Sequence, residues 1–321
     1  MTSRPRVSVV LPIYNGERYL AHAIDSVLAQ SYRSYEIVAV NDGSRDGSAE
    51  IVKRYLASHA IKYVEQENRG VAGARNTGIA HSAGELIALL DQDDVWLPSK
   101  LEKQVAFIDA HPEVAMLHAR VSCIDGAGRP ISCKGWIYVD DACGHCAEVL
   151  LSGNRIAPMT VVIRRSCLDE VGVFDQAFAP ADDWHLWLRI ASRFPLGFLD
   201  SIVALYRVHD SNESKNQLKM KRAEIAVMES FRSKHATQFR QMDRRAIEAK
   251  LGTFYHQTAE LLLGAGQGAE AATLEKRSTK LMDGARLYYA RKVTAILPRR
   301  QRRMIRGYWY RVRSIFGLDR S

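Results

Sequence analysis

Four short apolar runs, at residues 7–11, 37–40, 61–64 and 86–90, alternate with stretches of helical spacing. No other feature limits the fold as tightly. Largely apolar runs of this length, broken only by Ser8 and Lys62, read as buried strands. After the first run, residues 17–30 put Leu20, Ile24, Val27 and Leu28 on one helical face. A second helix is predicted through Ile51, Val52, Tyr55 and Leu56, with Asp46 or Ser48 placed to cap it, and a third through Ala74 and Ile79. Strand and helix in this rhythm predict right-handed crossovers and a doubly wound, Rossmann-like α/β sheet, mostly parallel and flanked by helices. Ligands of such sheets bind beyond the carboxyl ends of the strands. The unusual polar residues of this chain fall at those ends: Tyr14 and Asn15, Asp42, Asn68, then Asp91 and Asp93.

The fourth run, LLDQDDVWLP, stops in acid at Asp91, Asp93 and Asp94. Carboxylates crowded together repel one another, so such a cluster calls for a cation or a charged ligand. An Asp-x-Asp loop suits Mg2+ or Mn2+ bridging nucleotide phosphates, where the ion offsets charge on a departing diphosphate. Taken alone, the pattern fits an acidic turn or a helix start before Pro98 and Ser99 equally well. No GxGxxG opens the first helix and no GxxxxGK[ST] loop occurs, so neither a dinucleotide fold nor a P-loop hydrolase is supported.

The 321 residues, 47% apolar, suffice for one large α/β domain and a smaller appendage. The formal net charge of +9 points to an anionic partner. No apolar stretch reaches the length of a membrane-spanning helix, and residues 1–15 read as a first strand rather than a signal peptide. The cysteine count, five, is odd in a chain too large to need disulfide staples, and predicts a reduced, cytoplasmic setting.

Four segments in order, VSVVLPIYNGERYLAHAIDSVLAQSY, EIVAVNDGSRDGS, ENRGVAGARNTGI and LLDQDDVWLP, resemble the family 2 glycosyltransferases of the GT-A fold, over about residues 5–210. That resemblance implies an inverting transfer from a nucleoside-diphosphate sugar, with a UDP-sugar favoured, to a hydroxyl of a glycan or lipid-linked acceptor, with Mn2+ or Mg2+ as cofactor. It also implies a place in bacterial surface polysaccharide synthesis, on the cytoplasmic face of the inner membrane. By the same likeness, Pro12, Tyr14, Asn15, Glu17 and Asp42 line the nucleotide pocket, and Asn68, Gly70, Arg75 and Asn76 border it. Asp91 sits near ribose and sugar, Asp93 binds the metal, and Asp94 takes a structural or sugar-contacting role. Asp42 also fits a plain Asp-Gly-Ser turn.

A sugar transfer needs a base to take the acceptor proton. FDQAFAPADDWHLWLRIA, residues 174–191, resembles the family's acidic pair before a Trp and a helix, which makes Asp183 the base, Asp182 its fallback and Trp184 a possible sugar contact. Relatives commonly have Glu first and an acid after the Trp; this chain has Asp182 and His185. The pair also fits an N-cap. In YRVHDSNES, His209 matches a metal-binding position.

Beyond residue 212 the spacing predicts a helical C-terminal extension. The expected division is a catalytic domain over 1–212 (donor half 1–110, acceptor half 111–212), helices over 213–297, and a basic amphipathic helix over 298–321. Residues 298–318 carry many arginines and no acid, with Ile305, Trp309, Val312 and Phe316 on one side. Such a helix suits an anionic membrane surface, or docks on its own enzyme. A nucleic-acid partner would leave the acidic rim unexplained and is not expected. Cys123, Cys133, Cys143 and Cys146 have some zinc-ligand spacing but no strong motif, and thiols are the default. Two other functions compete with sugar transfer. A sugar nucleotidyltransferase would want a Gly-rich basic loop where Pro12 to Gly16 stands. An inactive glycan-binding or scaffold module of the same fold fits poorly with Asp91, Asp93 and Asp183 all in place.

Overall fold

In the computed structural model, residues 4–56, 61–133, 142–234 and 244–296 are described. Strand β1 (Val7–Ile13) is buried along its whole length and forms the middle of the first half-sheet. It pairs in parallel with β2 (Tyr35–Asn41) on one side and β4 (Leu86–Leu89) on the other, and β3 (Ile61–Glu65) lies parallel beyond β2. A largely apolar run suits this position because both faces must be covered, and its one polar side chain, Ser8, is satisfied by Glu36.

Alternation along the strands divides the core. Val9, Leu11, Ile37 and Ala39 face α1 (Leu20–Leu28) and α2 (Ser48–Leu56) through Ile24, Val27, Ile51 and Val52, while Val38 and Val40 meet Ala74 of α3 (Gly70–His81) on the opposite face. Each such side chain, removed from water, contributes roughly 1.5–3 kcal/mol. Helix α3 packs so closely on β1 that a methyl group at Gly78 would run into Val10.

Beyond β4 the direction of pairing changes. The sheet continues through β8 (Val162–Arg164), β6 (Met116–Asp125), β9 (Leu196–Val208) and β5 (Val95–Trp96), with β7 (Pro130–Ile131) hairpinned onto β6. Here β8 runs antiparallel to β4 and β6, while β6 and β9 are parallel. The sheet is therefore mixed but mostly parallel. Around it lie α4 (Lys100–Ala110), α5 (Ala147–Leu151), α6 (Arg165–Val171), α7 (Asp182–Ala191) and α8 (Gln217–Lys234).

The chain divides into two compact units, residues 1–238 and 239–321. Helix α8 thus belongs with the sheet, and not with the helical region expected from residue 213. In the second unit α9 (Arg244–Gly264) packs on α10 (Gly268–Ile296). Leu251, Phe254, Tyr255, Ala259 and Leu262 are buried at three- and four-residue spacing, and Gly266 turns the chain at φ +75°. The basic segment 298–318 lies outside the described residues. Cys123 and Cys133 are joined as a disulfide, Cα atoms 5.4 Å apart, and Cys146 is buried while Cys143 is exposed. This corrects the expectation that all five cysteines are thiols and takes two of them out of any zinc set.

Candidate functional site

The carboxyl ends of β1 to β4 open onto one rim. After β1 the chain is clasped to the acidic loop: Tyr14 N–H donates to Gln92 Oε1 at 2.8 Å, and Gln92 Nε2 donates to the Tyr14 carbonyl at 2.9 Å. Pro12 lies within the buried strand, and the Tyr14 side chain, 47% exposed, faces outward. Asn15, at φ +50°, accepts from Arg45 N–H through Oδ1, and Glu17 Oε2 accepts from Gly47 N–H. Both residues brace the loop after β2. Asp42 is 2% exposed; its Oδ1 accepts from Gln66 Nε2 at 2.6 Å and from Arg69 N–H at 2.8 Å. Asn68 Oδ1 accepts from Gly70 N–H, and Gly70 opens α3 at φ +73°, a conformation that favours glycine.

Arg75 links the two acidic clusters of the sequence. Buried on α3, it donates from Nη2 to Asp91 Oδ1 at 2.8 Å and from Nη1 to Asp182 Oδ2 at 3.2 Å, with its guanidinium over the Phe174 ring. Burial works against its charge, but Asp91 and Asp182 outweigh that and hold it protonated. Arg75, expected at the border of the nucleotide pocket, thus forms a buried tie between carboxylates. Asn76 is likewise occupied, exchanging hydrogen bonds of 2.8 and 3.0 Å with the Phe174 backbone.

Asp93 and His209, 116 positions apart, meet because β5 pairs antiparallel with β9, Val95 opposite Leu205, and the two chains leave the sheet together. Asp93 Oδ2 and His209 Nε2 stand 2.8 Å apart. Two donors at right angles, each about 2.1 Å from a small divalent ion, would be about 3 Å apart, so the pair fits adjacent ligands of Mg2+ or Mn2+. Among the described residues no group of three such side chains gathers for a metal. Two protein ligands are what Mg2+ commonly takes when substrate phosphates supply the rest. Asp94 is 1% exposed and accepts Arg207 N–H at Oδ1, so it pins β9 rather than facing a sugar. Burial, then Asp93 and Asp91, push its carboxyl well above the usual range.

Asp182 and Asp183 form the first turn of α7, where the helix dipole favours negative charge. Asp183 Oδ1 accepts Trp184 N–H at 2.6 Å and Oδ2 accepts Asn154 Nδ2 at 2.9 Å. Burial, reinforced by Asp182, raises its pKa to about 7 against the opposing pull of Arg75, Asn154 and the Trp184 N–H. Trp184 is fully buried with its indole N–H on the Leu150 carbonyl, which corrects the expectation of a sugar contact. A groove of about 470 Å3, lined by Ala177, Ala179, Asn216, Lys219, Arg222 and Ala223 among others, runs beside the turn leading into α7.

Asn154, Gln92 and Arg207 were missed by sequence reasoning. Arg207 also donates from Nε to the Asp93 carbonyl at 2.8 Å. No local pattern marks these residues, because their partners lie far along the chain.

The family described as glycosyl transferase family 2 matches residues 8–142. An uncharacterized glycosyltransferase of Rickettsia typhi is 30% identical over 227 residues, 68% of this chain and 69% of that protein. One from Rickettsia felis is 32% identical, and there the match spans only 35% of the relative's length. A UDP-Glc:alpha-D-GlcNAc-diphosphoundecaprenol beta-1,3-glucosyltransferase of Escherichia coli is 29% identical over 70% of this chain and 86% of that protein. Among solved structures, S. aureus TarS 1–349 with UDP-GlcNAc superposes with a TM-score of 0.62 at 17% identity, covering 88% of this chain and 92% of that one. The mannosyltransferase PcManGT of Pyrobaculum calidifontis, in complex with GDP-Man and Mn2+, gives 0.56 at 21% identity over 89% and 87%. These likenesses show the fold alone. With its sheet order and its run of rim motifs, the chain has the GT-A fold and belongs to the family 2 glycosyltransferases.

Proposed function

We propose that the protein transfers a sugar, with inversion, from a UDP-sugar to a hydroxyl of a lipid-linked glycan in surface polysaccharide synthesis. The observation that carries this reading is the pairing of two acidic clusters, residues 91–93 and 182–183, through the buried Arg75. One cluster has the chemistry to hold a donor, the other to take a proton.

In this reading Tyr14, Asn15, Glu17, Asp42 and Asn68 frame the nucleotide at the strand ends. Asp93 and His209 would hold Mg2+ or Mn2+, which when bound supplies positive charge against the diphosphate. Asp183 accepts the acceptor proton through Oδ1 or Oδ2. With a pKa of about 7 it is poised to do so near neutral pH. Asp182, tied to Arg75, is held away from that task. Asp182 being tied to Arg75, Asp183 is left as the one base of the pair, which supports a single displacement in which the acceptor oxygen bonds to the anomeric carbon as the diphosphate leaves. The named Escherichia coli relative supports a diphospholipid acceptor. For the segment 298–318 we propose contact with an anionic membrane, on its sequence alone. No helix among the described residues is long and apolar enough to cross a membrane.

The test is transfer from a panel of radiolabelled UDP-, GDP- and dTDP-sugars to a sugar-diphospholipid acceptor, with and without chelator. A chelator-sensitive product of inverted anomeric configuration is expected from a UDP-sugar. No product from any donor, or a retained configuration, would overturn the reading.

A further inference from the structure

Two tryptophans of α7 grip the two ends of one loop. Trp184 donates its indole N–H to the Leu150 carbonyl at 2.8 Å, and Trp187 donates to the Ile156 carbonyl at 3.3 Å. Between those anchors the chain leaves α5, turns at Gly153 with φ +146°, and presents Asn154 to Asp183. The Asn154 amide has one usable orientation: Oδ1 accepts Ile156 N–H at 3.2 Å, which leaves Nδ2 to donate to Asp183 Oδ2. Arg155 turns the other way, donating from Nε and Nη2 to Ser152 Oγ. The loop therefore delivers a neutral donor, the Asn154 amide, to the carboxylate.

We propose that Asn154 is a positioning residue of the reaction, holding the Asp183 carboxylate in one orientation as a charged acceptor. Two large buried indoles spent on a short loop give that contact its rigidity. Both Asp183 oxygens then receive one donor each, Trp184 N–H from the helix itself and Asn154 from the loop. A hydrogen bond to the charged form of a carboxyl favours that form, against the burial and the neighbouring Asp182 that oppose it. The charged groups that act most on Asp183 are Asp182 on its own helix and Arg75 from α3. Of the other elements packed on α7, helix α5 brings Glu148 as its one charged residue, α6 carries Arg165, Asp169 and Glu170, and the 3-10 turn Gln176–Phe178 brings none.

The inference rests on Asp183 being the base, and the experiment separates the two claims. Asn154→Ala and Asn154→Asp are compared with wild type in the pH dependence of kcat and in a carboxylate-carbon NMR titration of Asp183 without substrate. Loss of a hydrogen bond to a charged group moves the Asp183 midpoint upward by about one to two pH units in Asn154→Ala. Activity at pH 7 then falls about five- to fifty-fold, as the ionised fraction does, and recovers in alkali. Asn154→Asp, almost the same shape, sets a second anion against the base and moves the midpoint further still. A packing role ranks the variants the other way, with the isosteric Asp milder than Ala and neither midpoint moved; that ranking would overturn the proposal. A wild-type enzyme without turnover would remove Asp183 as base, while the NMR midpoints would still decide whether Asn154 acts on its carboxylate.

Discussion

Asp183→Asn should abolish turnover and, at alkaline pH, make the fold more stable. The carboxyl moves from its ordinary 3.8 to about 7 on folding because it is buried beside Asp182. Three units at about 1.4 kcal/mol each make roughly 4 kcal/mol of destabilisation once the group is ionised. The sign follows from proton binding. Between pH 4 and 7 the folded chain holds a proton that the unfolded chain has released, so stability falls as pH rises and the full cost is present above 7. An amide carries no such cost, but its one oxygen can accept from only one of Asn154 and Trp184, leaving a donor unsatisfied for about 1–3 kcal/mol. The net gain at pH 8 is then about 1–3 kcal/mol, shrinking or reversing at pH 5. Urea denaturation followed by fluorescence reads this directly, since Trp96, Trp184 and Trp187 are all buried in the first unit. A variant no more stable than wild type at pH 8, or a difference that does not change between pH 5 and 8, would refute the reasoning.

Arg75→Leu strands Asp91 and Asp182 without a counter-charge and should cost about 3–5 kcal/mol in the same denaturation assay; a loss under about 1 kcal/mol would contradict the buried tie. Arg75→Lys should restore only part of this, because one ammonium cannot reproduce a planar fork that reaches two carboxylates. Lys100 is fully buried against the Trp96 ring with its Nζ on Gln104, and burial drives its pKa well below the usual value. The unfolded chain therefore binds the extra proton below pH 10, and stability rises with pH toward that value. Lys100→Met should raise the melting temperature at pH 7 and flatten the profile from pH 7 to 10, as calorimetry would record; a lower melting temperature with an unchanged profile would show that the amine is satisfied where it lies.

The nucleotide half was legible because β1, β4 and most of β2 are largely apolar and buried on both faces, and right-handed crossovers limit how the strands can be ordered. What sequence could not give was where side chains spend their hydrogen bonds. Helix α1 starts at Leu20, not Glu17, because Glu17 is drawn to the Gly47 backbone. Arg75 and Asn76 carry motif positions yet turn inward, to Asp182 and to the Phe174 backbone, partners about a hundred residues away. The two-residue strand β5, too short to show a period, sets the register that brings His209 to Asp93. Residues 130–155 are cysteine-rich and weakly periodic in sequence, and the tryptophans that hold Leu150 and Ile156 lie on α7.

Titration calorimetry of UDP with and without Mn2+, on wild type and on Asp93→Ala and His209→Ala, tests the centre of the account. Wild type should bind UDP at least about tenfold more tightly when manganese is present, and each variant should lose that gain. Manganese-enhanced binding that survives in both variants would mean that the Asp93–His209 pair does not hold the ion, and the proposed site would have to be abandoned.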